Sequence, residues 1–203
     1  MKSGIVVALT VGLSAGAVVA QEPPPSVGQL YESGKNQQVV ETVMAEGEAA
    51  PPDHLYLAGQ SLMKLESREH ARDVFGRLIN DDEASPWRAL GVSATAVIDG
   101  DYERAYAEAA RAAELAPDLF YAHYQVGLTE GYRGNPAASA SAFERAIALN
   151  PGSAYAHYYA GMAHYKARRV DQMGRHFEQF VKLAPEAPER PAVESIMRSL
   201  RGR

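Results

Sequence analysis

The sequence predicts an all-α solenoid, a row of helix–turn–helix bricks stacked side by side, on three observations. Chemically similar residues recur every 34 positions across residues 52–185, apolar residues within each copy keep helical spacing, and no stretch shows the alternation of a half-buried strand. Ala58, Val92, Val126 and Ala160 share one place, followed at once by Gly59, Ser93, Gly127 and Gly161. Farther along stand Ala71, Ala105, Ser139 and Met173, then Phe75, Ala109, Phe143 and Phe177, then Leu78, Ala112, Ala146 and Phe180. Glu83, Pro117, Pro151 and Pro185 close the copies.

A unit of this length, with small residues in mid-helix and proline at its end, resembles the tetratricopeptide repeat. The resemblance covers four ungapped copies, 52–85, 86–119, 120–153 and 154–187. It implies a concave groove lined by the first helix of each unit, used to hold a protein or peptide.

The segments before the repeats differ in character. Residues 1–20 open with Lys2, run apolar from Ile5 to Ala20 and end in small residues before Gln21, the composition of a cleavable signal peptide. The run is shorter than the roughly 20 residues of a spanning helix. Export to the periplasm or beyond is therefore expected, with no membrane insertion after cleavage. A Gly12-x-Ser14-x-Gly16 pattern lies inside this leader rather than on a strand–turn–helix, so it is not a hydrolase nucleophile elbow.

Residues 21–27 carry Pro23, Pro24 and Pro25, which fix an extended spacer. Residues 28–51 read as a degenerate first unit. Leu30 and Tyr31 precede a Gly34-Lys35-Asn36 turn and a helix bearing Val39, Val40, Val43 and Met44. The prolines leave little room for a full first helix, so this unit is expected to cap the array.

In the first full unit, Leu55, Ala58, Gly59 and Leu62 share a helical face, and Ala71, Phe75 and Leu78 face back from the second helix. Gly59 permits close approach and Phe75 fills the remaining space. Ser67, Asp101 and Asn135 occupy the N-cap place of the second helices, with Pro136 following at a tolerated first position. Arg169 breaks that pattern and predicts a weaker turn in the last unit. Residues 188–203 supply a closing helix with Val193, Ile196, Met197 and Leu200 on one stripe, protection that a terminal repeat needs.

Twenty basic and 25 acidic side chains give a net charge of −5 with no basic stripe, which argues against nucleic acid. Without cysteine there is no disulfide and no thiolate metal site. No phosphate loop and no nucleophile–base–orienter set is present, so the expectation is a non-catalytic protein without a cofactor.

The family's groove faces would be the second, fifth, ninth and twelfth residues of each unit, a spacing that falls on one side of a helix. They are Asp53, Tyr56, Gln60 and Met63; Trp87, Leu90, Ala94 and Val97; Tyr121, Tyr124, Leu128 and Gly131; and Tyr155, Tyr158, Met162 and Tyr165. Six of the 11 tyrosines and the lone tryptophan fall there. Such rings concentrate at binding hot spots, so Tyr56, Trp87, Tyr121, Tyr124, Tyr155, Tyr158 and Tyr165 are the expected partner contacts. Lys64 and Lys166, at the thirteenth place, would steer acidic flanks. The competing expectation is that the rings pack between neighbouring first helices, in which case each buried hydroxyl needs its own partner. The carboxylate clamp of some family members requires lysine, asparagine and arginine on these helices. Ile98 and Tyr132 stand at the thirteenth place of the middle units and no ninth place holds asparagine, so that clamp is missing. The expected guest is an apolar, aromatic-rich peptide or helix of an envelope protein.

Two other expectations stand beside this one. The repeats could self-associate edge to edge into a homo-oligomer, leaving the groove incidental. Alternatively, a His123/His157/His164 set could hold zinc or copper. His123 and His157 share a repeat place, as do Glu130 and His164 seven residues on, so each pair lies on one helical face. The same groups could instead satisfy one another, Glu130 accepting from His157 or His164, with pH-sensitive stability as the consequence. His70 and His176 neighbour arginine and glutamate on second helices and are expected on solvated faces.

Overall fold

A computed structural model describes residues 23–80 and 82–201 of the chain, with side chains to Ser199. The expected leader, Asp81 and the side chain of Leu200 lie outside the described residues. Among those described, the chain is helical throughout, without strands. A short helix α1 (Val27–Glu32) and α2 (Asn36–Ala45) lead through a 3-10 turn (Gly47–Ala49) into four helix pairs. These are α3 (Pro52–Lys64) with α4 (Arg68–Ile79), α5 (Pro86–Asp99) with α6 (Tyr102–Leu115), α7 (Phe120–Tyr132) with α8 (Pro136–Leu149), and α9 (Ala154–Lys166) with α10 (Val170–Leu183). The last helix is α11 (Arg190–Arg201).

Each helix packs on the next, and the first helices α1, α3, α5, α7 and α9 also pack on one another in series, forming an inner wall. The result is an α-solenoid. Helix α11 lies on α10 with Val193 fully buried and Ile196 and Met197 against the core, which covers the last repeat.

A ring set on a glycine holds three of the four pairs together. A Cβ at Gly59 would lie 2.3 Å from Phe75, one at Gly127 2.8 Å from Phe143, and one at Gly161 2.4 Å from Phe177. Only the missing side chain lets the second helix bring its ring this close. The second unit solves the same problem without glycine or ring. Ser93 replaces the glycine, Ala109 replaces the phenylalanine, and the Ser93 hydroxyl donates to the Ala105 carbonyl at 2.7 Å.

The turn inside each pair uses a left-handed residue at one repeat place. Gly100 and Gly134 fill it at φ 78° and 81°, whereas Glu66 and Arg168 adopt it at φ 59° despite their Cβ atoms. The N-caps depart from expectation. Asp101 accepts from the Arg104 amide at 3.1 Å, but neither Ser67 nor Asn135 makes a side-chain cap bond. Ser67 bonds to His70 Nδ1 instead, and Asn135 donates to Glu130. Arg169 likewise makes no cap bond, so the last unit is no poorer in this respect than the first and third. Serines cap first helices instead: Ser26, Ser85 and Ser153 accept amide protons at the starts of α1, α5 and α9.

Gly161→Ala should cost about 1–3 kcal/mol, because the ring of Phe177 cannot retreat from a packed core. Combining Gly161→Ser with Phe177→Ala copies the second unit, and the pair should be at least about 1 kcal/mol more stable than the sum of the two single effects. Denaturant unfolding of the four chains measures this coupling; strict additivity would show that the ring and the glycine do not depend on each other.

Candidate interaction groove

The inner wall is not an open shelf. Helix α1 lies against its N-terminal half, burying Val27, Leu30 and Tyr31. The Tyr31 hydroxyl meets that of Tyr124 at 3.1 Å, and its ring lies 5.2 Å from the ring of Tyr155. Glu32, the last residue of α1, caps α9, accepting from the Ser153 hydroxyl at 2.8 Å and the Tyr155 amide at 2.9 Å. Burial raises the Glu32 pKa, and these donors and Lys64 offset part of that rise.

The superhelix is wound tightly enough for its two ends to meet. Lys64 of α3 pairs with Glu189 at 3.2 Å and stands over the Tyr155 ring, 3.0 Å from its centroid. The Tyr155 hydroxyl donates to the other oxygen of Glu189 at 2.9 Å. Burial pushes the Lys64 ammonium down to about 8, outweighing the pull of Glu189. Gly34 closes the contact at φ 73°; a Cβ there would sit 2.5 Å from Pro188.

These contacts correct the expected partner surface. Tyr56, Tyr124 and Tyr155 are fully buried, and their hydroxyls are matched inside the chain to Gln125, Tyr31 and Glu189. Lys64 is held by Glu189 and is not free to steer a guest. Trp87, Tyr121 and Tyr158 are half-buried: Tyr121 packs between Tyr56 and Trp87, and Tyr158 lies against Phe180. Tyr165 and Lys166 remain exposed. The rings therefore follow the packing alternative, and each deep hydroxyl finds the partner that burial demands.

Along the C-terminal ends of its helices the wall stays open. A cavity of about 580 Å³ lies between α3, α5 and α7, floored by Met63, Ala94, Val97 and Leu128 and flanked by Tyr132 and Tyr159. A second, of about 400 Å³, continues beyond Leu128, Tyr132 and Tyr159 to Met162 and Lys166. Gln60 and Gln125 form the polar end. Gln125 is satisfied on both sides, accepting from Tyr56 and Gln60 and donating to the Ser93 hydroxyl at 3.0 Å. Arg68 and Glu66 stand at the rim. Tyr132 and Tyr159, which line both cavities, lie off the predicted groove positions. The thirteenth place that Tyr132 shares with Lys64 and Lys166 was the available signal for it.

The histidines regroup as well. His123 donates to the Pro117 carbonyl at 2.7 Å and stands apart. Glu130 accepts from Arg133 and Asn135 close by in its own turn, rather than from a histidine. His164 donates through Nε2 to Glu144 at 3.0 Å, and His157 and His176 share a proton between Nδ1 atoms 3.1 Å apart. His176 is half-buried, its ring stacked on that of His164 at 5.3 Å, not on a solvated face. Burial and the neighbouring His157, His164 and Arg175 press its pKa to about 4 against the opposing pull of Glu144. Burial lowers His157 as well.

An unfolded histidine titrates near ~6.5, so the unfolded chain takes up the proton first as pH falls. The stability contributed by neutral His176 is complete above that pH and is lost on descent toward 4. Melting of chelator-treated protein should show Tm dropping between about pH 7 and pH 5, with a smaller drop in His176→Gln. Equal drops in the two chains would remove His176 as the cause.

Residues 155–187 match the family model described as Tetratricopeptide repeat. No curated protein sequence matches the chain. Among solved structures, TTC0263, a thermophilic TPR protein of Thermus thermophilus, is 17% identical, with 85% of this chain and 94% of that one covered at a TM-score of 0.59. MamA from Desulfovibrio magneticus RS-1, residues 41 to the end, is also 17% identical, with 75% and 94% covered at 0.51. Another MamA crystal structure is 18% identical, with 75% and 88% covered at 0.50. At these identities the likeness is one of fold. The family model matches the fourth unit, and the other units repeat that unit's register, so the fold is that of a tetratricopeptide-repeat solenoid.

Proposed function

We propose that this chain is an exported, non-catalytic interaction scaffold that takes an apolar segment of an envelope protein into the open half of its groove. The observation that carries the reading is the 580 Å³ cavity between α3, α5 and α7, where Met63, Ala94, Val97 and Leu128 offer apolar contact between polar rims and Tyr132 and Tyr159 form a wall. That volume falls in the range of sites that enclose side chains or small ligands, about 300–1,000 Å³, and with its neighbour suits two or three anchoring side chains of a helix or peptide. Tyr132 is 48% exposed and Tyr165 45% exposed, rings that a partner can still reach. Arg68 and Lys166 at the edges favour a guest with acidic flanks. The half of the groove filled by α1 takes no part. Export rests on the leader: one cation, an apolar run and small residues before Gln21.

A photo-crosslinking residue placed at Tyr132 should yield a protein adduct in cells, whereas one at Leu115 on the outer helix α6 should yield none. For the partner so trapped, Tyr132→Ala combined with Lys166→Glu should weaken binding at least about tenfold at unchanged helicity, as loss of a central ring and a rim charge does. Adducts at Leu115 alone, or binding untouched by the double variant, would move the interface off the groove. Intact mass of the chain purified from its native host should correspond to a start at Gln21; a retained leader would overturn export with cleavage.

A further inference from the structure

Helices α8, α9 and α10 bring Glu144, His164 and His176 to one point, and the ligand atoms of the three all lie within 4.8 Å of one another. The three come from two different repeats, so neither unit builds the cluster alone. From this convergence we infer that the junction of the third and fourth units is a binding site for a divalent transition-metal ion of the zinc class, held by Glu144, His164 and His176.

The donor set suits such an ion. Two imidazoles and one carboxylate are borderline ligands that suit zinc or copper better than calcium or magnesium, which prefer all-oxygen shells. Zinc binds histidine nitrogen at about 2.0–2.1 Å and carboxylate oxygen at about 2.0–2.2 Å, so two ligands on a tetrahedral ion lie roughly 3.3 Å apart. His164 Nε2 and Glu144 Oε1 are 3.0 Å apart and need to open only slightly. The third ligand, His176, has to close by up to about 1.5 Å, which requires its half-buried ring to tilt out of its stack on His164 while the half-exposed Glu144 carboxylate follows.

Proton accounting is simple. The proton that His164 Nε2 now donates to Glu144 moves to its Nδ1, a buried atom without a hydrogen-bond partner. That nitrogen is equally unmatched in either tautomer, so the shift costs no existing bond at Nδ1. His176 keeps its Nδ1 contact with His157, leaving Nε2 for the ion. An outer-shell partner of this kind fixes ring orientation and tautomer in metal sites. Arg175 opposes a cation here, but it is exposed and its field is screened by solvent and salt. Three protein ligands leave one position for water, the arrangement of an open site rather than a closed structural one.

The test uses the untagged mature chain. Zinc titrated against a chromophoric chelator should show one site, and Co²⁺ should give the visible absorption of a four-coordinate nitrogen–oxygen site. His176→Gln and Glu144→Gln should each weaken zinc at least about tenfold, while His123→Gln and His54→Gln leave it unchanged. His164 is deeply buried, so His164→Gln can fail to fold, and the conclusion rests on the two more accessible ligands, with circular dichroism confirming their fold. Zinc should also raise the Tm of the wild-type chain and not that of Glu144→Gln. Absence of a one-to-one complex at about 100 µM zinc, or affinity indifferent to both His176→Gln and Glu144→Gln, overturns the assignment.

Discussion

The separation of the two helices in most units rests on a side chain that is not there. Where Gly59, Gly127 and Gly161 leave the first helix bare, Phe75, Phe143 and Phe177 press onto it. The ring gains its burial at the closest distance a backbone allows, and the helix pair is pinned along the seam where ridge and groove would otherwise slide. The second unit gives up both members at once. Ser93 and Ala109 leave less volume to fill, and a hydroxyl bonded to the backbone stands where dispersion held the others. That same hydroxyl receives Gln125, so the exception becomes the anchor of a polar line running from Tyr56 on α3 through Gln125 on α7 to α5.

Pinned pairs stack with a fixed small rotation, and the sum of those rotations decides what the inner wall becomes. Here they bring α3 and α9 close enough for Lys64 to lie on the Tyr155 ring. A half-length helix then fills the space that a full one would overrun. The six residues of α1 are short because prolines precede them, and their shortness lets Tyr31 reach both Tyr124 and Tyr155. Burying Lys64 opposes its charge, and the seam offsets this with Glu189, the tyrosine face and the nearby Glu32.

The bricks themselves were legible in the sequence, because each depends on helical spacings and a 34-residue period that survive reading one letter at a time. The pairing of Gly59 with Phe75 is readable in the repeat itself. The winding is not. It is a sum of small angles set by the volumes of alanine, serine and glycine at successive interfaces, and no single residue announces it. So Tyr56, Tyr124 and Tyr155 looked like contacts awaiting a guest, although their hydroxyls already had partners 34 to 93 residues away in the chain. His176 was misplaced for a related reason. Its sequence neighbours are charged, but its space neighbours come from α9. The partners of Glu130 were legible, since Arg133 and Asn135 lie within reach along its own turn.

An open solenoid can lengthen by copying a unit, because each new brick finds the same neighbours as the last. This chain has lost that freedom. Its first turn touches Pro188 and its third helix holds Glu189, so an inserted unit would carry the two ends past each other and leave an ammonium, a carboxylate and a row of phenols unmatched. Among the described residues, four full units and a fragment meet across this seam, and a unit inserted between them would break it.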